Sequence, residues 1–303
     1  MKYTVGGYRI AILARTAKTI LVEGVTDKEL LDSLKTNWGV TSNIVIDTHE
    51  IIDDLAFTGL GAKACVDTFI SSVPQGSPIS SKFHGLVDRE WEDLIDPITL
   101  DPVPWSNPIQ TNLRLRTLGH SIENYALSAQ FVEQYLQHFG REVATPQVIT
   151  DVTAAIPSIL RAAAAFSEVA RKRYLIKKCS DVVGLADVSW NGSHVVISNA
   201  VEQRLISRQA PNAVGFLQDF DTLYKGTWSG HPLSSEAHFH AHGHIGDRIL
   251  WISVARIVEN HGFSTDIAHD VAFGRRDEKR RVCYKWLSTL TRSALSPLDQ
   301  ALS

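Results

Sequence analysis

The chain has 303 residues, with 30 basic and 33 acidic side chains, 44 % hydrophobic residues and 21 % charged ones. That is the balance of a globular protein with room for two domains, and it excludes wholesale disorder and collagen-like repeats. Three scattered cysteines, Cys65, Cys179 and Cys283, exclude a disulfide framework and a cysteine-rich zinc site. No apolar run reaches the ~18 residues that span a bilayer. Arg9 and Arg15 interrupt the N-terminal stretch, which therefore lacks a signal-peptide core. The expectation is a cytoplasmic protein with no membrane contact.

Charge is unevenly divided: 12 basic against 18 acidic residues through position 145, and 18 against 15 beyond it. An acidic half beside a mildly basic one suits a cation-holding site joined to a polyanion-binding surface. A chance split of surface charge gives the same counts.

In chain order, Thr19-Ile20-Leu21-Val22 reads as a short buried strand that stops at Glu23-Gly24. A helix follows, with Thr26 as its cap, Glu29 as the capping-box partner, and Leu30, Leu31 and Leu34 on one face. Asn43–Ile46 is a second strand ending at Asp47, Gly61–Ser71 a helix, and Val73–Pro78 a turn. Phe83–Val87 is a third strand ending at Asp88, and the four prolines between Asp96 and Pro108 forbid regular helix there. Asn112–Leu118 is a fourth strand candidate. Short apolar strands alternating with helices predict an α/β fold with a parallel sheet covered on both faces.

Beyond Gly140 the pattern turns helical. Residues 147–178 form one long helical stretch that Pro157 is expected to kink or divide, residues 191–199 a short strand pair or loop, and Asp247–Leu290 mostly helix. The domain expectation is 1–143 for a metal-binding catalytic domain and 144–303 for a mainly helical domain making substrate, dimer or partner contacts.

Three carboxylates recur in one context, just past an apolar strand: Glu23, Asp88 with Glu90 two residues on, and Glu123. In an open parallel sheet the ligand site lies outside the carboxyl ends of the strands. Magnesium takes hard oxygen ligands, one or two carboxylates at a time, and keeps several waters. Such a cluster suits metal-assisted attack on a phosphodiester. Taken singly, each acid also reads as a solvated turn or a first-turn helix residue favoured by the helix dipole.

The run Leu21-Val22-Glu23-Gly24 with Asp27-Lys28, followed by Gly85-Leu86-Val87-Asp88-Arg89-Glu90, resembles the TOPRIM domain of topoisomerases, bacterial primases, OLD-family nucleases and RNA-maturation nucleases. Its second motif is Asp-x-Asp; here the last acid is Glu90, one methylene longer. His120-Ser121-Ile122-Glu123-Asn124-Tyr125 resembles the H-x-I-E-N-Y element of TOPRIM-like proteins encoded beside ABC-type ATPases. The whole layout is similar to the TOPRIM nuclease effector of PARIS anti-phage systems. That resemblance implies a Mg²⁺- or Mn²⁺-dependent endonuclease, released from an ATPase partner, dimeric when active and cleaving host tRNA. It implies Glu23 and Asp88 as metal ligands, Glu90 as a weaker or water-mediated one and Glu123 as the acid completing the set. An OLD-type DNA nuclease and a non-catalytic adaptor of the ATPase are the alternatives. A topoisomerase needs a separate tyrosine domain, and a primase a zinc module that three dispersed cysteines do not supply.

The tract His238-Phe239-His240-Ala241-His242-Gly243-His244 would place alternate histidines on one face of a strand, a spacing for a borderline metal or for phosphate contacts. A polar loop, or histidines satisfied by backbone hydrogen bonds, is the plainer reading. Gly246-Asp247-Arg248 is expected to cap the next helix. Arg171, Lys172, Arg173, Lys177, Lys178, Arg275 and Arg276 are candidate phosphate contacts, with Tyr174, Tyr284 and Trp286 as stacking partners; a solvated helix face is the default for such runs.

Overall fold

The computed structural model describes residues 2–228 and 235–303. It is α/β as expected, with a four-stranded all-parallel sheet flanked by helices and a helical C-terminal half. The chain forms two compact units, each assembled from separate stretches. Unit 1 is Met1–Arg89, Asn107–Leu118 and Tyr284–Ser303; unit 2 is Glu90–Ser106 and Gly119–Cys283.

Unit 1 contains α1 (Val5–Ala14), β1 (Lys18–Val22), α2 (Val25–Asn37), β2 (Ile44–Thr48), α3 (Ala62–Ser72), β3 (Phe83–Val87) and β4 (Arg114–Arg116), and ends with the one-turn α13 (Leu298–Ala301). The strand order is β2-β1-β3-β4. Leu21 of β1 lies between Asp47 of β2 and Gly85 of β3. The chain thus leaves β1 in one direction to form β2, then returns past β1 to form β3. This makes the boundary between β1 and β3 a switch point, where open parallel sheets place their ligands.

Thr19, Ile20, Leu21 and Val22 are all fully buried, as a strand covered on both faces requires. Tyr8, Phe69 and Phe83 pack in sequence through the core, tilted and then edge-to-face, with ring centroids 4.9 and 5.1 Å apart. α3 lies so close on β3 that a Cβ at Gly85 would sit 2.4 Å from Ile70 Cδ1; glycine sets that approach.

Two local expectations are corrected and one element is new. α2 starts at Val25 rather than after Thr26, because Asp27, not Glu29, reaches back to accept the Gly24 N–H at 2.8 Å. The fourth strand is only three residues long, Arg114–Arg116. The N-terminal stretch, without a predicted element, forms α1, capped by Thr4, whose Oγ1 accepts the Gly7 N–H at 3.1 Å.

Unit 2 is built around α5 (Pro146–Lys172). Around it stand α4 (Ala129–Phe139), the one-turn α6 (Ile176–Cys179), the hairpin β5 (Val188–Trp190) and β6 (Val195–Ile197), α7 (Ala200–Ser207), α8 (Phe216–Thr222), the one-turn α9 (Ala237–His240), α10 (Gly243–Asn260) and α11 (Thr265–Phe273). α12 (Arg276–Leu287) follows, with its residues up to Cys283 in unit 2 and those from Tyr284 in unit 1. Thr145 caps α5 ahead of Pro146, a favoured N-terminal arrangement.

α5 runs unbroken through Pro157, against the expected division. The proline faces solvent, as do Thr153 in part and Ala154. The Thr153 carbonyl that loses its i+4 donor is therefore on the wet side, while Ile156, Ile159 and Leu160 hold the buried side. Ala162–Ala165 are fully buried, small enough for the neighbouring helices to close on them. α5 is long and apolar enough to cross a membrane by length and composition, but 61 % of that apolar window is buried inside the fold.

Candidate functional site

In unit 1, β1 delivers Glu23 and β3 delivers Asp88 to the same carboxyl edge, on the two strands flanking the switch point. Both side chains are half-buried. Glu23 Oε1 accepts the backbone N–H of Asp88 at 2.7 Å, which joins two residues 65 positions apart. Lys63 of α3 donates to the Asp88 carbonyl at 2.7 Å and pairs with Asp67 at 3.8 Å, so a cation stands against the acidic edge. The His49 ring meets the Glu23 carbonyl and steadies the turn. Asp47 ends in a structural pair: Arg15 reaches it at 2.5 Å and the Tyr8 hydroxyl at 2.8 Å. Burial and the Asp47 charge push the Tyr8 phenol far above its ordinary value, so it stays protonated.

Arg89, one residue beyond Asp88, is fully buried. Its N–H donates to Thr117 Oγ1 and its guanidinium to the Leu118 carbonyl, both at 2.9 Å. A buried guanidinium beside an acidic edge is a strong local charge. Sequence reasoning passed it over because an arginine after a strand ordinarily reads as solvated.

Unit 2 carries Glu90 and Glu123. Glu90 is exposed, with φ of +52°, and its N–H donates to the His120 carbonyl at 2.6 Å. Glu123 stands in the one-turn segment Ile122–Ala126, 3.8 Å from His244 Nδ1. A Cβ at Gly243 would fall 2.2 Å from Ser121 Oγ and 2.7 Å from Glu123 Oε2; the first residue of α10 is glycine because the acid occupies that space.

The histidine tract and the His120–Tyr125 element, read separately in the sequence, are one construction. The Asn124 amide donates to the carbonyls of His238 and Ala241, the latter at 2.9 Å, while its oxygen accepts the Ser121 N–H at 2.7 Å. The His120 N–H donates to the Phe239 carbonyl at 2.9 Å, and the His242 N–H to Ser167 Oγ at 3.0 Å. Phe239 stacks on Trp105 at 4.4 Å, His120 packs against His242 at 4.5 Å, and the buried His240 meets Trp228 edge-on at 5.3 Å.

The tract is therefore no strand. It is the short α9, an extended link, and the start of α10, and captured carbonyls set its shape. Asp247, expected as a cap, lies within α10 and accepts the Trp251 indole N–H at 2.8 Å. Lys279 lies 4.0 Å from the Trp251 ring centroid, and burial lowers its ammonium to about 8.

Burial pushes His238 and His242 down to about 4 from an ordinary 6.5. Both are neutral at pH 7. In the unfolded chain they bind protons from about 6.5 downwards, so the folded state is at its full advantage above that pH and loses it as pH falls towards 4. The urea midpoint is expected to drop steeply between pH 6.5 and 4.5, and less steeply in His242→Gln. A midpoint flat across that window would refute the burial of neutral imidazoles.

Several candidate phosphate contacts are engaged within the unit. Arg171 donates to the Leu100 carbonyl and covers Trp91; Lys172 pairs with Glu168 and Asp101, each at 2.9 Å; Arg173 holds Asp219 at 2.7 Å together with two carbonyls. Arg275 covers Phe139 and lies 3.7 Å from Glu278. Lys177, Lys178 and Arg276 are exposed. Tyr174 is 83 % exposed, whereas Trp286 is buried and has no free face for a base. Among the described residues no group of three or more His, Cys, Asp and Glu side chains is placed to hold a metal ion. Comparison with known proteins finds no family model that matches the chain and no curated protein that resembles it significantly.

Proposed function

We propose that this protein is a magnesium-dependent ribonuclease, the effector of an anti-phage system that cleaves host tRNA in the cytoplasm, acts as a homodimer and is held by an ABC-type ATPase until needed. The observation that carries the reading is the Glu23–Asp88 hydrogen bond at 2.7 Å across the carboxyl ends of adjacent parallel strands. It ties the Glu23 carboxylate to the backbone of Asp88 at the switch point of the sheet, and the two acids follow β1 and β3 in the order that the TOPRIM resemblance requires.

The donor set fits magnesium, or manganese in its place, and not zinc. Two carboxylates and retained waters suffice for Mg²⁺, and Glu23 and Asp88 offer oxygen alone. Zinc takes at least three protein ligands, with histidine or cysteine among them, and no group of three such side chains is placed together among the described residues. When bound, the ion supplies Lewis-acid stabilisation of phosphodiester oxygens. The chain's part is to hold Glu23 in one orientation through the Asp88 N–H, and to keep cationic Lys63 and Arg89 against the acidic edge. Glu90 and Glu123 are the further acids of the proposal. Lys177, Lys178 and Arg276 are the exposed cations for salt-dependent phosphate contact.

The test is cleavage of total cellular RNA and of plasmid DNA, side by side, with Mg²⁺ and with EDTA. Discrete tRNA fragments that vanish in EDTA are the expected result. Cleavage of plasmid alone gives the DNA-nuclease reading instead, and indifference to EDTA in the ATPase complex gives the adaptor.

A further inference from the structure

Unit 2 has an open cleft of about 770 Å³ with no role in the carboxylate edge. Its floor is one face of α5, where Asp151, Ala154, Ser158 and Arg161 recur at helical spacing. Its walls are the end of α10, at Asn260 and His261, and the tip of the β5–β6 hairpin from Trp190 to Ser193. The tip is firmly built: Asn191 Oδ1 accepts the N–H groups of Ser193 and His194 at 3.1 and 2.8 Å, and Gly192 takes φ of +93°.

Two side chains in this cleft lack what they ordinarily find in a folded protein. Arg161 is only partly exposed, and its Nε is buried with no hydrogen-bond partner. It forms no ion pair with any described residue; the acid of the cleft, Asp151, stands ten residues away on α5, about 15 Å along the helix, and pairs with His261 at 3.0 Å. A half-buried guanidinium is normally paired, so the cleft presents an uncompensated cation. Trp190 is half-buried and, among the described residues, packs its indole on no other ring, although ring pairing occupies much of this unit's aromatic side chains. Around them, the Asn191 side-chain NH2 and the Asn260 side-chain oxygen have no partner among the described residues, whereas the hydroxyls of Ser158 and Ser193 are engaged within the fold.

We propose that this cleft binds a nucleotide, with the phosphate on Arg161 and the base on Trp190. A guanidinium recognises a phosphate through its planar fork. An indole accepts any base by stacking, and the Asn191 NH2 as donor and the Asn260 oxygen as acceptor address the sugar and the base edge. A volume of about 770 Å³ is that of a small-molecule site and far exceeds what a bare phosphate fills. The nucleotide comes from one of two sources, a free mononucleotide or an unpaired residue of an RNA strand. The inference is independent of the nuclease reading, since binding here needs neither metal nor Glu23.

The experiment is calorimetric titration of the full chain carrying Glu23→Ala, in EDTA, so that no cleavage enters. The probes are adenosine 5′-monophosphate, adenosine, inorganic phosphate and a single-stranded RNA oligonucleotide. The monophosphate is expected to bind more tightly than adenosine or phosphate. Arg161→Gln is expected to weaken it about 10- to 100-fold. Trp190→Ala should weaken it about tenfold, with Trp190→Phe restoring most of that loss. Monophosphate displaced by the oligonucleotide assigns the site to RNA; monophosphate undisturbed by it assigns a free nucleotide. No binding at millimolar monophosphate overturns the proposal. So does equal affinity for phosphate and monophosphate, or an affinity unchanged in both folded variants.

Discussion

Replacing Glu23 by alanine is expected to reduce metal-dependent tRNA cleavage by at least ~100-fold, the scale of losing one electrostatic partner of a phosphoryl-transfer transition state. Stability should change little, because Glu23 is half-buried and its hydrogen bond to the Asp88 N–H is worth ~1 kcal/mol. Glutamine separates the two roles of the side chain. Its amide oxygen still accepts the Asp88 N–H, so the turn is kept, but the negative charge is gone. If Glu23 serves only to fix the loop after β3, Glu23→Gln will cut at the wild-type rate. If it serves as a metal-facing carboxylate, Glu23→Gln will be as inactive as Glu23→Ala, with an unchanged thermal midpoint. Initial rates at saturating Mg²⁺, read beside that midpoint, distinguish the cases. A fully active glutamine variant would falsify the nuclease assignment of this edge.

The parts of the fold that were legible in the sequence are those where a local signal and the tertiary environment agree. Thr19–Val22 and Phe83–Val87 are short apolar runs stopped by an acid, and they are buried central strands ending at Val22 and Val87. Residues 147–178 read as one long helical stretch, and Ala162–Ala165 lie within α5. Failures came where a distant partner decides local shape. Thr26 and Glu29 made a plausible capping box, but Asp27 reaches Gly24 first. Pro157 did not break α5 because it lies on the solvent side, a fact that periodicity alone leaves open. Alternating histidines suggested a strand; carbonyl capture by Asn124, more than a hundred residues away, bends them into a helix, a link and a helix start. The acids at the strand ends were visible as types in a pattern. The buried Arg89 and the unpaired Arg161 were not, since a sequence does not show which arginines lose their water.

The largest stability effect is expected at Asn124. This side chain is buried and uses both ends: its oxygen accepts the Ser121 N–H, and its amide donates to the carbonyls of His238 and Ala241. Alanine leaves a buried donor and two carbonyls without partners, at ~1–3 kcal/mol for each group that water cannot reach. Asn124→Ala should therefore cost ~3 kcal/mol or more, read as a lower urea midpoint at an unchanged slope. Aspartate is the informative comparison. It keeps the acceptor for Ser121 but turns a carboxylate oxygen towards two carbonyl oxygens, so it should destabilise at least as much as alanine despite its near-identical shape. If capture of the tract depends merely on filling space, Asn124→Asp will be the milder change. Because Glu123 precedes Asn124 and shares its turn with Ser121, loosening this contact also frees the acid from its place against Gly243. Under the proposed function, cleavage by Asn124→Ala should fall well before the protein unfolds, as temperature or urea rises. Activity that persists up to the unfolding transition would show that Glu123 needs no such support.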